Sequence, residues 1–391
     1  MGHERPIPQR RERIVKQIAI EPGREMDFQW LRTGAEALAE MLAAITAARR
    51  SVRLEMYMFD PSPVADQFRD ALGAARRRGA GVQVLIDAFG SMSLPDGYWD
   101  ALRAAGAQVR RFNPNGLKRL GIRDHRKILV CDEELAVIGG VNIAGEYAGD
   151  GVASGWRDLG LKIRGPLAIE LAGAADEMFG RADYRHKPFS RLRKSARQRT
   201  VPFAGGKILL TGPGRNNAIK LALSQDLKGA QQAGIVCAYF LPPRRILRQL
   251  AGLARRGSKV QLILPGKSDV FLSRLAAQSF YRRLLRAGVE IYEYQPQILH
   301  AKMYLIDDIV YVGSSNLDSR SLNINYELML RVPGPRLAAE GREIFASIKA
   351  RSRRVEMEEW RRSRNFVDRI KGRLARWVLA HLDPYIARQS S

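Results

Sequence analysis

Apolar and polar positions follow two periods along this chain, and the same succession of periods occurs twice. In the first half, Ser51–Phe59 (SVRLEMYMF) has the β-branched and aromatic density of a strand. A helical period follows over Val64–Arg78 and stops at Gly79. Val82–Asp87 (VQVLID) reads as a second strand, a helix then ends in Ala105-Gly106-Ala107, and Gln108–Phe112 closes the unit. The second half repeats this order. Gly234–Leu241 (GIVCAYFL) is a strand, helix Arg244–Arg256 stops at Gly257, and Val260–Leu264 (VQLIL) is the next strand. A further helix ends at Ala287-Gly288, before strand Val289–Tyr294. Arg78-Gly79 and Arg256-Gly257 are 178 residues apart, as are VQVLI and VQLIL.

Strands alternating with amphipathic helices predict an α/β fold of two tandem repeats. Each is expected to be a mixed, mostly parallel sheet flanked by helices, the pair related by a pseudo-twofold axis. The expected boundaries are residues 1–180 for the first repeat with an N-terminal extension and 207–350 for the second. Residues 181–206 read as a basic linker, since Arg181–Thr200 holds eight Lys/Arg against Asp183 as sole acid. Residues 351–391 read as a basic tail, with Phe366, Ile370, Leu374, Val378 and Leu382 at helical spacing.

Composition narrows the partners. Hydrophobic residues make up 46% and charged residues 27%, which is globular rather than disordered. Lys and Arg total 65 against 40 Asp and Glu, a net charge of +25, so a polyanion is expected: nucleic acid or an anionic membrane surface. Two cysteines, Cys131 and Cys237, exclude a disulfide framework and a cysteine-rich metal site. No apolar run approaches the roughly 18–20 residues that span a bilayer, and the charged N-terminus lacks a signal-peptide core. The expectation is a protein that is soluble or held only at a membrane surface.

Each repeat closes with the same constellation. The first is DHRKILVCDEELAVIGGVN, containing His125, Lys127 and Asp132; the second is LHAKMYLIDDIVYVGSSN, containing His300, Lys302 and Asp307. Both read His-x-Lys-x4-Asp and then reach a Gly-small-x-Asn turn at Asn142 and Asn316. With 5 histidines in the chain, composition predicts about 0.01 accidental matches, so two at equivalent places are not accidents. On a strand, residues i and i+2 share a face, so His125 projects with Lys127 and His300 with Lys302. A pseudo-twofold axis would bring both pairs into one cleft suited to a phosphodiester.

These motifs resemble the phospholipase D superfamily across nearly the whole chain. LEMYMFD, HRKILVCD, WRDLGLKIRGP, LHAKMYLIDD and VGSSNLDSRSLNINYELML are most similar to bacterial cardiolipin synthases of the short kind without N-terminal membrane spans. The resemblance implies a ping-pong reaction without metal or other cofactor. One imidazole attacks phosphorus to give a phosphohistidine, and the other protonates the leaving alkoxide. Lys127, Lys302, Asn142 and Asn316 would hold the non-bridging oxygens; the other reading of the two asparagines is a turn role alone. The family also places an acid some thirty residues past each histidine. Asp158 follows His125 by 33 residues, and Glu327 follows His300 by 27. Asp132 and Asp307 sit at turns and are expected to bond backbone rather than substrate.

The reaction so implied passes a phosphatidyl group from one phospholipid, typically phosphatidylglycerol, to the hydroxyl of another. The protein would act at the cytoplasmic face of the cell membrane, docked through Arg181–Thr200 and the C-terminal helix. The rivals are hydrolysis with water as acceptor and a nuclease with DNA as the polyanion. Two motifs in one chain argue against the latter, because small nucleases of this kind carry one and dimerise. The site is expected to be complete within one chain.

Overall fold

Each repeat folds around its own mixed sheet, and both sheets follow one plan. The computed structural model describes residues 26–114, 121–182, 199–203, 205–214, 217–362 and 366–379. The first sheet holds β1 (Asp27–Leu31), β2 (Ser51–Met56), β3 (Gly81–Asp87), β4 (Gln108–Phe112), β5 (Lys127–Cys131), β6 (Leu135–Gly139) and β7 (Gly160–Arg164). Its spatial order is β1-β7-β6-β5-β2-β3-β4. The second holds β8 (Arg199–Phe203), β9 (Gly206–Thr211), β10 (Gln232–Val236), β11 (Lys259–Pro265), β12 (Glu290–Tyr294), β13 (Met303–Ile306), β14 (Ile309–Gly313), β15 (Glu327–Pro333) and β16 (Ser352–Arg354). Its order is β16-β12-β11-β10-β13-β14-β15-β9-β8. The run β7-β6-β5-β2-β3-β4 therefore matches β15-β14-β13-β10-β11-β12, and β1 beside β7 takes the place of β9 beside β15.

The mixed α/β sheets agree with the sequence reading, but they are not mostly parallel. Parallel pairing among the described strands is confined to β2-β3-β4 and β10-β11-β12, which helices connect. The other ladders are antiparallel. For β5-β6 and β13-β14 the cause is connection length: a short turn at Asp132 or Asp307 can only fold the chain back beside itself. Two segments also change place. Arg199–Phe203, read as linker, is edge strand β8, and Ser352–Arg354, read as tail, is β16 beside β12. Residues 183–198 of the linker and 380–391 of the tail lie outside the described residues, as do His3, His186 and His381.

Period-two alternation divides the buried side chains between cores. Ile128 and Val130 of β5 join Met303 and Leu305 of β13 in one core shared by both halves. The helices Leu167–Gly180 and Pro335–Lys349 contribute to it. Leu129 and Cys131 face the outer helices of the first half, and Tyr304 and Ile306 those of the second. Each fully buried aliphatic chain contributes about 1.5–3 kcal/mol, so the shared core holds the halves together firmly. Backbone bonds cross between them as well. His125 N–H donates to the Tyr326 carbonyl at 3.0 Å, and His300 N–H to the Arg157 carbonyl at 2.8 Å. No described helix is long and apolar enough to cross a membrane.

Candidate active site

The cleft lies where the parallel strands of both sheets end, the usual place for ligands in such sheets. Lys127 opens β5 opposite Met56, the last residue of β2, and His125 precedes it on the same face. His300 and Lys302 stand at the same place before β13. All four side chains are buried: His125 is 9% exposed, Lys127 3%, His300 5% and Lys302 0%. The bridges Asp124–Tyr326 and Arg157–Leu299 set the two motif starts against the opposite halves, which brings the two pairs to one place between them.

The two predicted acids are both here, and each serves the histidine of the other half. His125 Nδ1 donates to Glu327 Oε2 at 3.1 Å, and His300 Nδ1 to Asp158 Oδ2 at 2.7 Å. Sequence spacing suggested acids belonging to their own repeats. The crossing follows from the inter-half pairing of Asp124 with Tyr326 and of Arg157 with Leu299, each acid being the next residue along its strand. Gly140 makes room for one of them: a Cβ there would lie 2.3 Å from Asp158 Oδ1. At the matching position, Ser314 donates its hydroxyl to Glu327 Oε2 at 2.5 Å.

Electrostatics separate the two pairs. Burial, then the neighbouring lysines, holds His125 well below its ordinary pKa, so its imidazole is neutral. Burial raises Glu327 to about 7. Asp158 moves the other way despite its burial, because Lys302 and His300 stabilise its charge. Burial and then Lys302 bring Lys127 down to about 7. A pH signature follows. Folded Glu327 holds its proton above the ordinary value of 4.5, so this group makes stability fall as pH rises from about 4.5 through about 7. Glu327→Gln lacks that titration. Its stability should gain on the wild type between pH 5 and pH 8 by about 3 kcal/mol. Urea unfolding at the two pH values checks this, and a pH-independent difference would contradict it.

The motif aspartates do not reach the cleft. Asp132 lies at the far end of β5, about 16 Å along the strand from Lys127. Its carboxylate accepts from the backbone N–H of Arg49, Arg50 and Ser51 at 2.7–2.9 Å. Asp307 accepts likewise from Gln231 and Gln232. Both adopt left-handed backbone, φ 54° and 48°, as their turns require. The asparagines are buried beside the cleft. Asn142 accepts from Met58 N–H at 3.2 Å and donates to Tyr147 Oη at 2.8 Å. Asn316 Oδ1 accepts from Tyr239 N–H at 3.4 Å.

Sequence reasoning missed the aromatic lining. The Tyr57 ring meets the His125 ring edge-on at 4.7 Å and carries Lys127 Nζ 4.9 Å from its centroid. Tyr147 Oη lies 3.3 Å from His300 Nδ1, and the Trp156 ring lies 5.5 Å from the same ring, tilted by 45°. Nothing in the spacing of these three residues distinguishes them from core aromatics. Missed too was a buried ionic cluster behind His125. Arg126 meets Glu55 at 2.6–2.7 Å, and Asp124 sits against both. Strand register matches Glu55, Asp124 and Arg126 with Val236, Leu299 and Ala301 of the second half, all in the apolar core.

A two-lobed α/β protein with one phospholipase D-like motif in each lobe, both facing a single cleft, is the class that fold and site define. The chain belongs to the family described as cardiolipin synthase, PLD-like domain, whose model matches residues 41–164 and 223–349. It is 31% identical over 314 residues to cardiolipin synthase 1 of Bacillus anthracis, covering 76% of this chain and 62% of that relative. It is 30% identical over 368 residues to cardiolipin synthase A of Cronobacter sakazakii, covering 89% of this chain and 74% of the relative. The Bacillus relative is thus matched over less than two thirds of its length. Among solved structures, phosphatidylserine synthase of Haemophilus influenzae Rd KW20 has the same fold, with a TM-score of 0.73 at 15% identity, covering 92% of this chain and 95% of that one.

Proposed function

We propose that the protein is a phosphatidyltransferase of the cardiolipin synthase kind, working through a phosphohistidine. The observation that carries this reading is the crossed arrangement: two imidazoles in one cleft, each fixed at Nδ1 by a buried acid from the opposite half. Fixing Nδ1 leaves His125 Nε2 for chemistry, and Lys302 Nζ, 3.0 Å from His300 Nε2, would turn to a bound phosphate and release that nitrogen.

His125 is the nucleophile. Its imidazole is neutral, and its Nε2 attacks phosphorus while the bond to the leaving alkoxide breaks. His300 is the acid: burial and then Lys302 hold its pKa below the ordinary value, and ionised Asp158, bonded to its Nδ1, opposes that lowering and favours the protonated form where it is needed. It gives its proton to the leaving glycerol oxygen. Neutral again, it takes the proton of the second lipid's hydroxyl, which attacks the phosphohistidine and frees His125. Lys127 and Lys302, buried against the backbone carbonyls of His125 and His300, hold the phosphate's non-bridging oxygens, with the side-chain amides of Asn142 and Asn316 nearby. The donor is phosphatidylglycerol, the acceptor a second molecule of it. An anionic membrane surface supplies both, with the net charge of +25 holding the protein at the inner face of the cell membrane.

The test is to incubate the purified protein separately with phosphatidylglycerol vesicles and with plasmid DNA, then identify products by mass spectrometry. Cardiolipin with equimolar glycerol is the expected result. Phosphatidic acid without cardiolipin would mean water is the acceptor, and nicked plasmid with intact lipid would mean a nuclease.

A further inference from the structure

We infer that the rim of the cleft is itself the surface that seats in an anionic bilayer. Its two inserting elements are the loop after β3 and the start of the helix Phe271–Gln278. This inference rests on the lipid-transfer reading and names the face that reading requires.

Exposed apolar side chains are not scattered over this protein. Among the described residues, ten large ones are exposed, and eight belong to the two rim elements or to the helix packed on one of them. Phe89 and Met92, 40% and 69% exposed, lie in the loop after β3. Val270, Phe271 and Leu272, 40%, 64% and 44% exposed, lie after β11, the strand that matches β3. Such clustering marks an interaction surface, whereas single exposed apolar residues do not.

Both elements adjoin the chemistry. The Arg123 guanidinium lies 4.0 Å over the Phe89 ring, two residues before His125. Asp269, next to Val270, accepts from Tyr239 Oη at 2.5 Å, and the Tyr239 ring lies 6.4 Å from that of His300. One loop therefore borders the His125 side of the mouth, and the other borders the His300 side.

The helix Phe366–Trp377 extends the same face. It turns Gly372 and Ala375 onto the helix Phe271–Gln278, where a Cβ on Gly372 would come within 3.3 Å of the Leu275 carbonyl. Ile370, Leu374 and Trp377, at i, i+4 and i+7, are left outward at 46–58% exposure. Among the described residues Ile370 and Leu374 are about half exposed, and an apolar helical stripe of that kind suits a bilayer interface. Lys371 and Arg373 stand exposed on the same helix, so the face joins apolar insertion to positive charge, the chemistry of an anionic lipid surface. A lipid phosphate must also reach histidines that are less than a tenth exposed, so the mouth has to sit at headgroup depth.

The test uses the full-length chain carrying His125→Ala, which leaves vesicles unaltered. The native thiols Cys131 and Cys237 are buried, and burial pushes both up to about 12, so an introduced cysteine takes an environment-sensitive fluorophore selectively. Labels at Phe271→Cys and at Met92→Cys should shift to the blue with vesicles containing phosphatidylglycerol. A label at Ile169→Cys, exposed on the helix Leu167–Gly180, should not. Met92→Ser/Phe271→Ser/Leu272→Ser should pellet with these vesicles about tenfold less well at an unchanged melting temperature. In the wild-type His125 background, the same triple variant should keep its kcat on monomeric short-chain phosphatidylglycerol and lose turnover on vesicles. Equal response at position 169, silence at 271 and 92, or equal pelleting with purely neutral vesicles would overturn the inference. Failure of the lipid-transfer reading looks different: no lipid turnover by wild type in any form, with the labels still responding.

Discussion

His125→Ala should lower lipid turnover by about 10⁴-fold or more, and His300→Ala by a similar factor, since on the proposed mechanism each removes a participant in covalent bond making or proton transfer. The two variants part company on a donor whose leaving group needs no proton. A nitrophenyl phosphodiester releases nitrophenolate without acid assistance, so His300→Ala should still give a stoichiometric burst and accumulate labelled phosphoenzyme. His125→Ala should give neither. The physical reason is the asymmetry of the two acid partners. Burial and the lysines lower both imidazoles, His125 well below its ordinary value, but Asp158 is ionised and opposes the lowering of His300, whereas burial raises Glu327 to about 7, which gives His125 less support as a cation. A burst from the His125→Ala protein and none from the His300→Ala protein would reverse the assignment. Full turnover by both would end the two-histidine scheme.

Arg126→Ala should cost about 3–5 kcal/mol of stability without touching the cleft. Arg126 is 4% exposed and lies on the face of its strand opposite His125 and Lys127. It is the cation that Glu55 and Asp124, 1% and 0% exposed, are buried against. Burial and the closeness of the two carboxyls push Asp124 well above the usual carboxylate range, and burial raises Glu55, so Arg126 balances a pair that favours one shared proton. Without it, an unpaired charge stays in the core. Thermal unfolding should fall by roughly 5–10 °C at pH 8, and the deficit should shrink towards pH 5, where both carboxyls accept protons. The second half shows the apolar solution to the same packing problem, in Val236, Leu299 and Ala301. The triple variant Glu55→Val/Asp124→Leu/Arg126→Ala should therefore recover at least half the loss. A triple variant no more stable than Arg126→Ala would show that the cluster is not exchangeable with an apolar core.

On the proposed transfer reading, the asymmetry also bears on how a duplicated site could tell donor from acceptor. Around His125 the chain places Arg123, Arg126 and Arg320, and Arg320 donates to the Gly121 carbonyl at 2.8 Å. Counting from the motif histidines and asparagines, the matching positions around His300 are Ile298, Ala301 and Glu146. Two histidine motifs alike in sequence thus sit in different fields.

The sequence by itself determined the duplicated α/β plan, because strand and helix periods and the terminating glycines are local properties that repeat at fixed offset. It also determined that His125 goes with Lys127 and His300 with Lys302, because the spacing of two within each motif puts His and Lys on one strand face whatever surrounds them. Tertiary structure alone decided the partnerships. Glu327 serves His125 and Asp158 serves His300 because Tyr326 and Arg157 pair across the interface, a contact between distant segments that no local pattern encodes. It decided too that most strand pairings are antiparallel, and that Tyr57, Tyr147 and Trp156 come against the two histidine rings. Each of these depends on which surfaces meet. Periodicity says which face of an element is buried, and only the packed fold says against what.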